Sequence, residues 1–88
     1  MKHSLTFHAP SFDDYKEWAM RDKKVFKKIN ELIQSIDRTP FDGIGKPEPL
    51  KYELKGYWSR KITDEHRLVY SVNETDISII SCKYHYQD

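Results

Sequence analysis

Six apolar residues, Val25, Phe26, Ile29, Leu32, Ile33 and Ile36, recur at helical spacing and stop at Thr39-Pro40. This stripe constrains the fold more than any other feature, because a helix that is apolar along one side must lay that side on a second layer. Asp22 is placed to cap the helix, while Lys24, Lys27, Lys28 and Glu31 fall on its wet side. Pro40 ends it, since the residue before a proline is pushed out of helical angles.

The second layer is written downstream, where the period changes. Residues 41–49 read as a loop bent at Gly43 and Gly45 and stiffened by Pro40, Pro47 and Pro49. Strands are then expected over 51–54, 57–63, 66–72 and 77–86, with Asp64-Glu65 as a tight hairpin and residues 73–76 as a further turn. Upstream, residues 4–7 alternate like a short strand. Ser11 reads as the N-cap of a first helix, with Asp14 completing a capping box and Phe12, Tyr15, Trp18 and Ala19 as its apolar face. The expected architecture is α+β: an N-terminal strand and two helices packed on one face of a small antiparallel sheet, the other face open, in a single domain spanning residues 1–88.

A chain of 88 residues has room for one modest core, and with 38% hydrophobic but 14% aromatic residues, large rings must supply much of it. Charged residues make up 33%, yet the net charge is only +1. That balance excludes indiscriminate nucleic-acid binding, which needs a strong basic excess. It permits a local basic site: Lys46, Lys51, Lys55, Arg60, Lys61 and Arg67 stand against Glu48, Glu53, Asp64 and Glu65 in one stretch. The lone cysteine, Cys82, fits a reducing compartment, and neither a leader-like segment nor an apolar run of membrane-spanning length is seen. A soluble cytoplasmic protein with no membrane partner is expected.

The candidate chemistry is concentrated in the second half. Glu48, held between Pro47 and Pro49, reads either as a preorganised general base or as a solvated loop carboxylate. Arg67 lies in a strand on the face opposite Leu68 and Tyr70; its fork suits a phosphate, or an ion pair with Glu48 or Glu65. Lys46, Lys51, Arg60 and Lys61 can follow a nucleic-acid backbone, or simply solvate an open sheet face. His85 can protonate a leaving oxygen, with Tyr86 beside it. Strict alternation through 77–86 would point His85 away from Arg67, so one site for both needs a bulge or a strand end between them. Cys82, His85 and His66 offer a competing metal triad, against a buried free thiol for Cys82.

Six blocks, Lys27-Lys-Ile-Asn-Glu-Leu-Ile33, Arg38-Thr-Pro-Phe41, Gly45-Lys-Pro-Glu-Pro-Leu-Lys51, Gly56-Tyr-Trp-Ser-Arg60, Glu65-His-Arg-Leu-Val-Tyr70 and Cys82-Lys-Tyr-His-Tyr86, together resemble the YoeB/Txe toxins of bacterial toxin–antitoxin pairs, over nearly the whole chain. The resemblance implies the RelE-like, microbial-RNase-like fold and a ribosome-dependent messenger-RNA endonuclease that cuts in the A site of the 30S subunit. It implies Glu48 as general base, Arg67 at the scissile phosphate, His85 as general acid and Tyr86 in support. Lys51 and Arg60 match positions that hold the RNA backbone, with Lys46 and Lys61 added to them from the basic stretch itself. No cofactor or metal is implied. The implied partners are a YefM/Phd-type antitoxin, the ribosome and mRNA, and operator DNA only within the antitoxin complex; monomer and homodimer both stay open for the free chain. The chain departs from many members by ending in Gln87-Asp88, whose negative charge falls close to His85. Non-catalytic RNA or ribosome binding, or service only as a co-repressor subunit, are the alternatives.

Overall fold

The computed structural model describes residues 1–85. Its elements are β1 (Ser4–Phe7), α1 (Ala9–Arg21), α2 (Lys23–Arg38), β2 (Glu48–Pro49), β3 (Trp58–Lys61), β4 (Arg67–Val72) and β5 (Asp76–Ser81). The strands form one sheet in the order β1-β5-β4-β3-β2, antiparallel throughout except that β1 runs parallel to β5 at the edge. The α+β expectation holds, with a mixed rather than purely antiparallel sheet.

The stripe on α2 behaves as its spacing requires. Ile29, Leu32 and Ile36 are fully buried and meet Leu68, Tyr70, Ile77 and Ile79 from the sheet. Each such side chain contributes about 1.5–3 kcal/mol by leaving water. Asp22 caps α2 as expected, accepting from the Lys24 and Val25 amides at 3.1 and 3.2 Å.

Ser11 is not the cap of α1. The helix starts at Ala9 with Pro10 in its first turn, where a missing N–H costs nothing. Ser11 is instead buried one turn in, and its hydroxyl donates to the carbonyls of His8 and Ile79, tying α1 to β5. Two strand expectations also change. β2 is only two residues long, its pairing closed by the Leu50 N–H donating to the Tyr57 carbonyl, and 52–54, entered through left-handed backbone at Tyr52, form a short 3-10 turn in place of a strand. The β3–β4 turn is wider than a two-residue hairpin, because the Thr63 hydroxyl accepts from the amides of both Glu65 and His66.

At the other end of α2, Asp37 clamps the N-terminal segment. Its carboxylate accepts from the Lys2 and His3 amides at 2.9–3.0 Å and from the His3 ring at 2.8 Å. The Lys2 amide above all, then the His3 ring, holds the Asp37 carboxyl well below its ordinary 3.8. A depressed folded-state pKa stabilises above the ordinary carboxylate value and loses that contribution as pH falls. Asp37→Asn is therefore expected to lower Tm at pH 7. The gap to the parent should begin to narrow once pH drops below about 4, where Asp37 of the unfolded chain takes up its proton while the folded carboxylate stays ionised, and it should go on closing toward the depressed folded value. A pH-independent gap in thermal melts would contradict this assignment.

Candidate active site

Strand alternation sorts the basic residues between the two sheet faces. On β3, Trp58 and Arg60 share the face of Leu68 and Tyr70, toward the helices, while Ser59 and Lys61 share the open face with Arg67 and Val69. Glu48 pairs with Ser59, and Lys61 pairs with Arg67. Lys46, Glu48, Ser59, Lys61 and Arg67 consequently line one polar cleft of about 230 Å³ on the open face. A larger, more apolar hollow beside α2, lined by Phe26, Asn30 and Ile44 among others, contains none of the expected site residues.

Arg60 corrects the sequence reading. Its side chain is fully buried, and all five of its donors are used. Nε donates to the Tyr70 hydroxyl, Nη1 to the Ser35 hydroxyl and the Ile44 carbonyl, and Nη2 to the carbonyls of Thr39 and Asp42. A guanidinium so enclosed cannot grip an RNA backbone; it organises the loop that leads to Glu48. The signal for this was present, since Trp58-x-Arg60-x-Ile62 alternates with the core. Gly43 (φ +114°) and Gly45 (φ +84°) let that loop pass close by: a Cβ on Gly45 would stand 2.7 Å from Leu32 Cδ2.

Arg67 is half-buried at the start of β4. Its Nη1 donates to the carbonyls of Thr63 (2.6 Å), His66 (3.1 Å) and Asp64 (3.3 Å). Among the described residues, Nε and Nη2 have no partner. His85 reaches the same place, its Nε2 lying 2.8 Å from the Asp64 carbonyl. A carbonyl only accepts, so Nε2 carries a proton there. Arg67 and His85 thus converge on one oxygen.

The parity problem is resolved by an irregularity. Val69 pairs with Ser81 but Tyr70 pairs with Ile79, so Ile80 is an extra residue in β5. One inserted residue exchanges the faces downstream, which sends Cys82 into the core and frees the tail to bring His85 to the side of Arg67. The strand also ends at Ser81, not at 86. Cys82, buried against Ser11, has its thiol pushed up to about 12 by burial, and it does not converge with His66 and His85 on a metal-binding group among the described residues.

Lys61 pairs with Asp64 at 2.5 Å, and that hydrogen bond first of all holds the Asp64 carboxyl below its ordinary range. Glu48 and Lys46 are exposed at the cleft; Lys51 is exposed just before the 3-10 turn. The three described non-glycine residues with left-handed backbone are Lys46, Tyr52 and Tyr84, next to or near Glu48, Lys51 and His85. Such backbone strain collects where a side chain must be aimed. Tyr86, Gln87 and Asp88 lie outside the described residues, so the expectations placed on them are not addressed by the geometry.

A helix layer on one sheet face, with a carboxylate, an arginine and two lysines around a cleft on the other and an imidazole beside them, defines a small α+β protein with a charged cleft. The fold recurs in YafQ from Escherichia coli, at 17% identity and a TM-score of 0.75 over 94% of this chain. Residues 7–86 match the model of the YoeB-like toxin of bacterial type II toxin–antitoxin systems, and the chain belongs to that family. It is 56% identical over 82 residues to Toxin YoeB of Escherichia coli strain K12, covering 93% of this chain and 98% of the relative. Staphylococcus aureus YoeB, solved as a dimer, matches with a TM-score of 0.93 at 55% identity over 98% of this chain and 100% of that one. The same toxin in a heterotetrameric complex with YefM matches over the same shares, with a TM-score of 0.90 at 55% identity. No described helix is long and apolar enough to cross a membrane.

Proposed function

We propose that this toxin is a ribosome-dependent endoribonuclease that cuts mRNA in the A site. The observation that carries the reading is the cleft itself: Glu48, Lys46, Lys61 and Arg67 around one hollow, with His85 tied to the same turn as Arg67. Glu48 takes the proton of the ribose 2′-hydroxyl, and the freed oxygen attacks the adjacent phosphorus. Nε and Nη2 of Arg67 offset charge on the phosphoryl oxygens, and His85 gives its proton to the departing 5′-oxygen. The products are a 2′,3′-cyclic phosphate and a 5′-hydroxyl. Attack, charge offset and leaving-group protonation each have a side chain, so the reading calls for no metal or cofactor. Lys46, Lys51 and Lys61 hold the RNA backbone, the phosphate displacing Asp64 from Lys61, and Tyr86 supports His85. Arg60 has no part in RNA contact.

By the same reading a YefM-type antitoxin neutralises the protein, operator DNA is met only in that complex, and the free toxin pairs with a second copy. The complex and the dimer of the Staphylococcus aureus relative support the antitoxin and second-copy parts of this reading.

The test is 5′-end mapping of an mRNA incubated with antitoxin-free protein, with and without programmed ribosomes. Cuts confined to the A-site codon and dependent on ribosomes are expected, with 5′-hydroxyl ends. Folded protein that leaves mRNA intact in both reactions would refute the reading.

A further inference from the structure

The segment that carries His85 is held by a residue outside the cleft. After β5 ends at Ser81, the chain turns at Tyr84, whose φ of +63° a tyrosine does not adopt unaided. Both of its peptide groups are taken up by two successive residues. The Tyr84 N–H donates to His66 Nδ1 at 2.8 Å, and the Tyr84 carbonyl accepts from the Arg67 N–H at 3.1 Å. His85 then reaches the Asp64 carbonyl.

His66 is built into its place. It is only 8% exposed, on the core side of the sheet, with its ring set edge-on to Trp18 at 4.9 Å and tilted against the Tyr84 ring at 5.5 Å. Trp18 in turn donates from its indole N–H to the Cys82 carbonyl, fixing the segment just before the turn. Because Nδ1 accepts, it bears no proton, and the ring proton sits on Nε2, 3.5 Å from a Glu65 carboxylate oxygen. The His66 amide is held by the Thr63 hydroxyl, and its carbonyl accepts from Ile62, Thr63 and Arg67 Nη1. One residue therefore joins the β3–β4 turn, the Arg67 guanidinium and the tail.

We propose that His66 is a positioning residue for His85: its unprotonated Nδ1 fixes the left-handed turn at Tyr84, and the turn sets where the His85 imidazole stands relative to Arg67. This rests on the nuclease reading for its consequence in catalysis, but not for the turn itself. A packing role alone would be met by any ring of similar size. A positioning role needs an acceptor at the Nδ1 place.

The test compares His66→Asn, whose amide oxygen falls near the place of Nδ1, with His66→Phe, which keeps a ring and removes the acceptor. In single-turnover cleavage on programmed ribosomes, His66→Phe is expected to lose roughly 100-fold in the cleavage step with apparent affinity little changed, the scale of a small misplacement of a reacting group. His66→Asn should stay within a few-fold of the parent. Amide hydrogen exchange gives the second readout: the Tyr84 N–H should exchange faster in His66→Phe and remain protected in His66→Asn, with the Ile29 amide in the core unchanged in both. If His66→Phe does not fold, His66→Gln takes its place, since its amide reaches the Nε2 position and leaves Nδ1 unmatched. Equal impairment of the acceptor and acceptorless variants, or an unchanged Tyr84 amide without the acceptor, would overturn the proposal. Absence of cleavage by the parent would count against the nuclease reading alone, because Tyr84 exchange would still decide the role of His66.

Discussion

Arg67→Ala is expected to slow mRNA cleavage by about 10²–10³-fold, equivalent to about 2.7–4 kcal/mol, the loss found when one preorganised donor to a developing oxyanion is removed. The magnitude follows from how the guanidinium is held. Nη1 is spent on three carbonyls of the β3–β4 turn, which fixes the plane of the fork before any substrate arrives. Nε and Nη2 have no partner among the described residues and no reorganisation to undergo. Arg67→Lys keeps the charge but loses the fork and most of the anchoring, so it should fall between parent and alanine. The melting temperature should move far less than the rate, since the ladder of β4 and the buried Leu68 and Tyr70 are untouched. Cleavage by Arg67→Ala at the parental rate on programmed ribosomes would remove Arg67 from the mechanism.

The difference between Arg60 and Arg67 shows what the sequence could and could not deliver. Both are strand arginines in a basic stretch, and charge counting treats them alike. Alternation separates them, because Arg60 keeps step with Trp58 and Ile62 while Arg67 is out of step with Leu68 and Tyr70. The same parity marks His66 as an inward residue, a signal passed over in favour of the more reactive neighbours. The helices were legible because the α2 stripe has a single period and Asp22 a single use. The place of His85 was not. It depends on the extra residue in β5, and the run Ile77-Ser-Ile-Ile-Ser-Cys82 has apolar residues at both parities around that point. Nothing local in such a run says which isoleucine is surplus; the choice is made by Cys82 entering the core beneath α1. The 3-10 turn at 52–54 was similarly hidden. The pairing with the β3 side ends at the Leu50 N–H, which donates to the Tyr57 carbonyl, and the left-handed backbone at Tyr52 then turns the chain, which no residue type in the run announces.

Arg60→Met should destabilise the fold by about 3–5 kcal/mol, because it takes the charged donor from five neutral acceptors, two of them buried hydroxyls. Methionine fills part of the volume and stacks on Tyr70, whose ring lies 5.8 Å from the guanidinium, but it satisfies none of five acceptors. Summing about 1–3 kcal/mol for each orphaned acceptor would exceed the expected loss. That sum is too large here, because Asp42 and Ile44 lie in an exposed loop and water can reach their carbonyls once the loop loosens. Thr39 is exposed as well, but the buried hydroxyls of Ser35 and Tyr70 have no such recourse, and they set the lower bound. Set against a total of about 5–15 kcal/mol for a domain, the loss is a large share. At this chain length it should lower Tm by more than about 10 °C. The substitution also separates the two roles once open to this arginine. A phosphate contact, when lost, weakens RNA binding and makes its salt dependence shallower, by about one unit of slope per contact. Arg60→Met, assayed well below its melting temperature, should leave the salt slope of ribosome binding unchanged, whereas Lys61→Ala should reduce it without a comparable fall in Tm. A variant at position 60 with parental Tm and a shallower salt slope would return Arg60 to the RNA interface, and the five hydrogen bonds around it would then need another explanation.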